Sequence, residues 1–188
     1  KVNGFFLDEI ELKNLYPELK TLESLYAYSL KNYKIGKIIK ALELVDKCIE
    51  MDNKNPYFHE LKGQILFESG KSNESVSSFR KAIKLKPDEK SFNLFLAKSL
   101  YHSQRDSSFA ESIDLLWKYI KNDDFPYEAW HYLGLNYGKI KKFDLSSYAL
   151  AEKYLLVNEF KNAKIHIKRV KKISKDKVLL NKVADLEK

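Results

Sequence analysis

An all-α fold of stacked antiparallel helix pairs is what this sequence predicts, and three observations predict it. Small residues recur in apolar surroundings at a spacing of 34, first at Ser29, Gly63 and Ala97, then at Ala41 and Ser75. Helix backbones can touch only where a side chain is small, so each small position marks a helix–helix contact. Gly (6) and Pro (4) are scarce, and no run alternates polar and apolar between turn clusters as strands do. The length of 188, with 44% hydrophobic and 32% charged residues, suits a folded solenoid of about four to five helix pairs.

Taken in order, residues 1–20 read as a lead-in, with a short helix over 5–16 closed by Pro17. Lys1 is not Met, as expected of a processed product or a piece of a longer chain, and no signal-peptide core follows it. Residues 21–54 form a weak first pair carrying Ser29, Ala41, Val45 and Cys48 at repeat positions. Cys48 stands where alanine is usual and reads as a small buried thiol; one cysteine cannot form an internal disulfide.

The clearest pair spans residues 55–88. Asn55-Pro56 opens it, with proline in the first turn where its missing N–H costs nothing. Gly70 supplies a left-handed cap, Ser75 is the small contact on the second helix, and Phe79, Ala82, Ile83 and Leu85 continue a buried stripe to Pro87. The next pair, 89–125, is three residues too long, since Ala97 to Gly134 is 37; the excess falls in the polar stretch 103–108 and predicts a longer loop. A fourth pair covers 126–157. Residues 158–188 then hold a half repeat and a basic capping helix, because Ser146 to Ala163 is 17, half a period, as if one first helix were missing or fused. The expectation is a right-handed superhelix with an irregular, shortened C-terminal unit.

Trp130, Leu133, Gly134 and Tyr137 match the W-x2-L-G-x2-Y core of a tetratricopeptide (TPR) first helix, and the 34-residue period is that of TPR units. The 55–88 unit departs in one respect: His59 and Lys62 occupy the places of the usual Trp and Leu, the bulky Phe58 and Leu61 coming one position earlier. In a TPR stack, positions 2, 5, 9 and 12 of each first helix face a concave groove. That register selects Glu23, Tyr26, Leu30 and Tyr33, then Tyr57, Glu60, Gln64 and Phe67. It goes on to Ser91, Leu94, Lys98 and Tyr101, and to Glu128, His131 and Leu135. Such a Tyr-rich, mildly polar surface suits protein or peptide partners rather than a small-molecule substrate, and it lacks the Lys/Asn/Arg set that grips a chain-end carboxylate.

Chemistry is sparse. His59-Glu60-Leu61-Lys62-Gly63 is the first half of H-E-x-x-H, with Gly63 where the second zinc-binding histidine belongs. His102, His131 and His166 fall in different repeats, and no Walker, G-x-S-x-G or G-x-G-x-x-G motif occurs. The chain is expected to be no enzyme by itself, with no catalytic residue, metal or cofactor of its own. No apolar run approaches the ~18 residues that span a bilayer. Of the net charge of +8, residues 161–188 hold +7, from ten Lys/Arg and three acids. That reads first as a solvated Lys-rich helix, and second as a surface for nucleic acid or anionic membrane.

The block from Asn55 to Lys71, with Lys1 to Phe6, Tyr16-Pro17, Ser24 to Ala27 and Ala149 to Ala163 in the same order, resembles the repeat region of bacterial H-E-x-x-H zinc metalloproteases related to the β-barrel-assembly-enhancing protease. The resemblance implies a periplasmic or envelope-associated location and a docking role toward substrates or the outer-membrane assembly machinery. It places the zinc and the catalytic glutamate in a protease domain upstream, and carries no catalytic residue onto this chain. A stand-alone TPR adaptor is the other reading.

Overall fold

The structure is a computed structural model describing residues 7–103, 106–121, 123 and 125–186. Among these residues it holds eleven α-helices and no strand. The chain forms two compact units, residues 1–92 and 93–188, taken here in turn.

The first unit opens with α1 (Glu9–Leu15), held by a capping box in which Asp8 and Glu11 satisfy each other's backbone N–H. Phe5, the expected start of this helix, lies outside the described residues. Two antiparallel pairs follow: α2 (Leu22–Lys34) with α3 (Ile38–Met51), then α4 (Pro56–Glu68) with α5 (Ser72–Leu85). Leu25, Leu30, Ala41, Leu44, Val45, Cys48, Phe58, Leu61 and Ile65 make one core. The Cys48 thiol is buried, and burial pushes its pKa up to about 11.

Small residues sit at the helix contacts. Ser29 Oγ donates to the Ala41 carbonyl at 2.8 Å. A Cβ on Gly63 would lie 2.9 Å from the Phe79 ring, so only glycine lets that ring lie across α4. Within each pair the chain turns through a left-handed residue, Gly36 (φ 76°) and Gly70 (φ 80°). Each turn carries the paired backbone bonds of a Schellman motif: Gly36 N–H to Tyr33 and Lys37 N–H to Asn32, Gly70 N–H to Phe67 and Lys71 N–H to Leu66. Between pairs the helices end differently, through the extended residue Asp52 after α3 and Lys86 after α5.

Helix α6 (Ser91–His102) begins at the end of the first unit, and the second unit holds its residues from Asn93 on, then α7 (Asp106–Ile120), α8 (Tyr127–Lys139), α9 (Phe143–Leu156), α10 (Phe160–Ile173) and α11 (Lys177–Asp185). Ser112 Oγ donates to the Ala97 carbonyl at 2.9 Å and Ser146 Oγ to the Gly134 carbonyl at 2.8 Å. The first pair of residues is 15 apart in sequence and the second 12, like Ser29 and Ala41. The connection between α6 and α7 is no longer than those between α2 and α3 or α4 and α5; instead the three extra residues add a turn at the start of α7, ahead of Ser112, where the sequence predicts a longer loop. Gln104 and Arg105 themselves are outside the described residues. Trp130 packs edge-on against both Trp117 and Tyr148, at 5.3 and 5.9 Å between ring centres.

The half-period step also has a structural form. Lys141 (φ 60°) makes the within-pair turn from α8 to α9, and Asn158 (φ 57°) repeats it 17 residues later from α9 to α10. Asn158 N–H bonds Leu155 and Glu159 N–H bonds Tyr154, the same two bonds made at Gly36 and Gly70. Helix α9 packs along α10 as extensively as along α8. It is the second helix of one pair and packs as the first of the next. Ala163, Ile167 and Val170 are the buried stripe of α10, while Lys161, Lys164, Lys168, Arg169, Lys171 and Lys172 are exposed. The basic excess is thus largely a solvated helix face.

Candidate peptide-binding faces

In the first unit, the groove positions separate by depth. Leu30 is 1% exposed and belongs to the core, which removes it from any binding surface. Glu60 is buried at 3% and accepts a hydrogen bond from Gln64 Nε2 at 2.8 Å. Leu30 belongs to the core shared by α2, α3 and α4, and Glu60 lies near Tyr26 and Tyr33 of α2, so side chains expected to face a groove are covered instead. Glu23 is exposed, and Tyr26, Tyr33, Tyr57, Gln64 and Phe67 are half-buried.

Of these, Glu23, Tyr26 and Tyr57 line a hollow of about 320 Å³, together with Leu22, Asn55 and Phe58. Tyr26 packs on Phe58 at 5.3 Å, and its hydroxyl is buried with no hydrogen-bond partner. Burial, then the nearby Glu60 carboxylate, raises the Tyr26 pKa, so this hydroxyl stays a donor. Tyr57 is held from behind: Lys86 Nζ donates to its hydroxyl at 2.6 Å and lies 5.0 Å from its ring centre. Asn55, as N-cap, accepts from Tyr57 N–H at 3.1 Å and fixes the start of α4. Burial and a hydrogen bond to Glu68 raise the Tyr33 pKa in the same way.

The H-E fragment is used inside the repeat. The His59 ring nitrogen Nε2 lies 3.0 Å from the Asn53 carbonyl and Glu60 is engaged by Gln64. Among the described residues no three His, Cys, Asp or Glu side chains are grouped to hold a metal ion.

Ser91, at the end of the first unit, is half-buried; in the second unit Leu94 is buried, Lys98, Tyr101, His131 and Leu135 are half-buried, and Glu128 is exposed. Lys98 pairs with Glu128 at 3.2 Å, and Tyr101 packs edge-on to Tyr132 at 5.7 Å. His102 Nε2 lies 3.2 Å from the Tyr132 hydroxyl. Residues that the groove register passed over also gather here. Lys153 lies 3.5 Å from His131 Nδ1 and is flanked by Tyr127 and Tyr154, and His166 stacks on Tyr154 at 5.5 Å. One signal could have found Lys153: it occupies the inward repeat position held by Cys48 and Ala82 in the first two pairs and by Tyr119 in the third, none of them charged.

Comparison with known proteins bears on the whole arrangement. Residues 57–89 match the tetratricopeptide repeat family. MamA of Desulfovibrio magneticus RS-1 superposes with a TM-score of 0.71 at 14% identity, over 80% of this chain and 84% of that one. The fold is that of a TPR α-solenoid. A thermophilic TPR protein of Thermus thermophilus has a TM-score of 0.55 at 15% identity, over 88% of this chain and 98% of that one. PilW, a type IV pilus biogenesis factor, has a TM-score of 0.57 at 17% identity, over 89% and 86%. Identities this low speak for the fold alone. No curated protein matches the chain. No helix among the described residues is long and apolar enough to cross a membrane.

Proposed function

We propose that this chain is a protein-binding TPR module that holds a partner segment against its first-helix faces. The observation that carries this reading is the hollow beside Tyr26 and Tyr57. It is walled mainly by apolar and aromatic groups, and the Tyr26 hydroxyl inside its wall has no partner in the protein. A buried donor left unmade costs free energy that a ligand acceptor would return. Tyrosines add wide contact area with few rotors to freeze. Selection of a displayed random-peptide library on the full chain tests it. Enriched peptides should bind the wild type and lose affinity about tenfold or more on Tyr57→Ala, with a smaller loss on Tyr26→Phe. No enrichment, or peptides indifferent to both changes, would overturn the reading.

Attachment to an H-E-x-x-H zinc protease of the cell envelope rests on the resemblance of residues 55–71 and its flanks. A stand-alone adaptor has the same structural support. The coding sequence upstream of Lys1 separates them: an H-E-x-x-H domain there supports the protease, and its absence leaves the adaptor.

A further inference from the structure

We propose that Lys153 is the centre of a carboxylate-binding site that receives an acidic segment of a partner protein. The proposal rests on the protein-binding reading and narrows it to one class of ligand in the second unit.

Lys153 is 9% exposed, on α9, at the position filled by Ala82 in the 55–88 unit. Its ammonium group faces the rings of Tyr127 and Tyr154, whose centres are 5.2 and 4.7 Å away, and His131 Nδ1 at 3.5 Å. Among the described residues no carboxylate stands within ion-pair distance of it; Glu128, beside His131 on α8, reaches Lys98 instead. An ammonium has three donors, and one imidazole nitrogen at the long end of hydrogen-bond range leaves most of that capacity unused. The imidazole of His166, stacked on Tyr154, has its Nδ1 buried with no partner, and Arg169 lies close enough to act on that ring.

Helices α8, α9 and α10 thus bring His131, Lys153 and His166 to one place, and Glu128, the acid that acts on His131, is paired with Lys98 rather than with Lys153. Burying a cation among aromatic rings costs stability unless a counter-charge arrives. The first two pairs place the small residues Cys48 and Ala82 at this position and α7 places the half-buried Tyr119 there, so a charged side chain departs from all three. The charge is modest, one buried ammonium with neutral imidazoles beside it, because burial holds both histidines below the ordinary range. That balance fits a single carboxylate. The Tyr127 and Tyr154 rings give walls for the methylene groups that carry it.

The test uses the full chain and a fluorescein-labelled hexaglutamate peptide, with hexaglutamine and inorganic phosphate as controls, at ~0.1 M salt. Hexaglutamate should bind saturably and hexaglutamine should not. Lys153→Met, close in length and apolar, should weaken binding at least tenfold, while Lys164→Ser on the exposed face of α10 should leave it nearly unchanged. In the unmodified protein, the imidazole resonances of His131 and His166 should shift as the peptide is added, which needs no variant to fold. Equal losses from Lys153→Met and Lys164→Ser would show diffuse attraction to the basic helix and overturn the proposal. Silent histidine resonances would overturn it too, as would phosphate displacing the peptide at equal concentration. Library peptides that still bind the wild type in that event would leave the broader protein-binding reading intact.

Discussion

The Cβ that Gly63 lacks would sit 2.9 Å from the Phe79 ring, and Phe79 is fully buried. The ring is wedged between helices and cannot swing into solvent. Gly63→Ala gains helix propensity of ~1 kcal/mol but forces the α4–α5 contact apart, at ~1–3 kcal/mol. The expected outcome is a net loss of ~1 kcal/mol in urea unfolding, with the midpoint lowered and the slope unchanged. A stabilised variant would mean the contact is looser than described.

The left-handed turns make a paired prediction. Gly36 has nothing within 4 Å of where a Cβ would be, so Gly36→Ala meets only the backbone cost of φ 76°, ~1 kcal/mol. Lys141 already bears that cost, with φ 60° and an exposed side chain. Lys141→Gly should therefore stabilise the chain by ~0.5–1 kcal/mol. Thermal melts of the two variants should move in opposite directions.

Cys48 should be silent to thiol reagents. Its sulfur is fully buried and its pKa is raised to about 11 by burial, so little thiolate exists at neutral pH and none is accessible. Alkylation by iodoacetamide should follow unfolding, staying slow in buffer and rising across the urea transition. Rapid labelling in buffer would show that the first core opens locally.

Stability should fall as pH drops through the histidine range. Burial lowers the folded-state pKa of His131, His166 and His102, with Lys153 adding to the first, Arg169 and Lys153 to the second, and Lys98 to the third; Glu128 partly opposes the shift at His131. Below the ordinary imidazole value of 6.5 the unfolded chain takes up protons that the folded chain refuses, so unfolding is favoured as pH falls from there. The melting temperature should drop between pH 7.5 and 5.5. A His131→Gln, His166→Gln double variant should lose less over the same interval.

The helix pairs were legible because backbone contact requires small residues, and that requirement is local. Ser29, Ala41, Gly63 and Ala97 occupy contacts that the period implies, and Gly134 the one its motif implies. The binding face was legible in direction and not in depth. A register says where Leu30, Glu60 and Leu94 point, but the closeness of the neighbouring helix decides that they are buried. Lys153 escaped for another reason. It lies before the basic stretch 161–188, in a part of the chain where acids and bases nearly balance, and only register shows that this lysine points inward.

The repeated left-handed turn at Asn158 alters how this end of the chain can come apart. In an ordinary array each helix pair forms a step of its own, and the end frays one pair at a time. Here α9 completes two pairs at once. Releasing α10 or α8 strips α9 of a flank, and releasing α9 strips both pairs of their common member, so α8, α9 and α10 are coupled into a block of one and a half repeats.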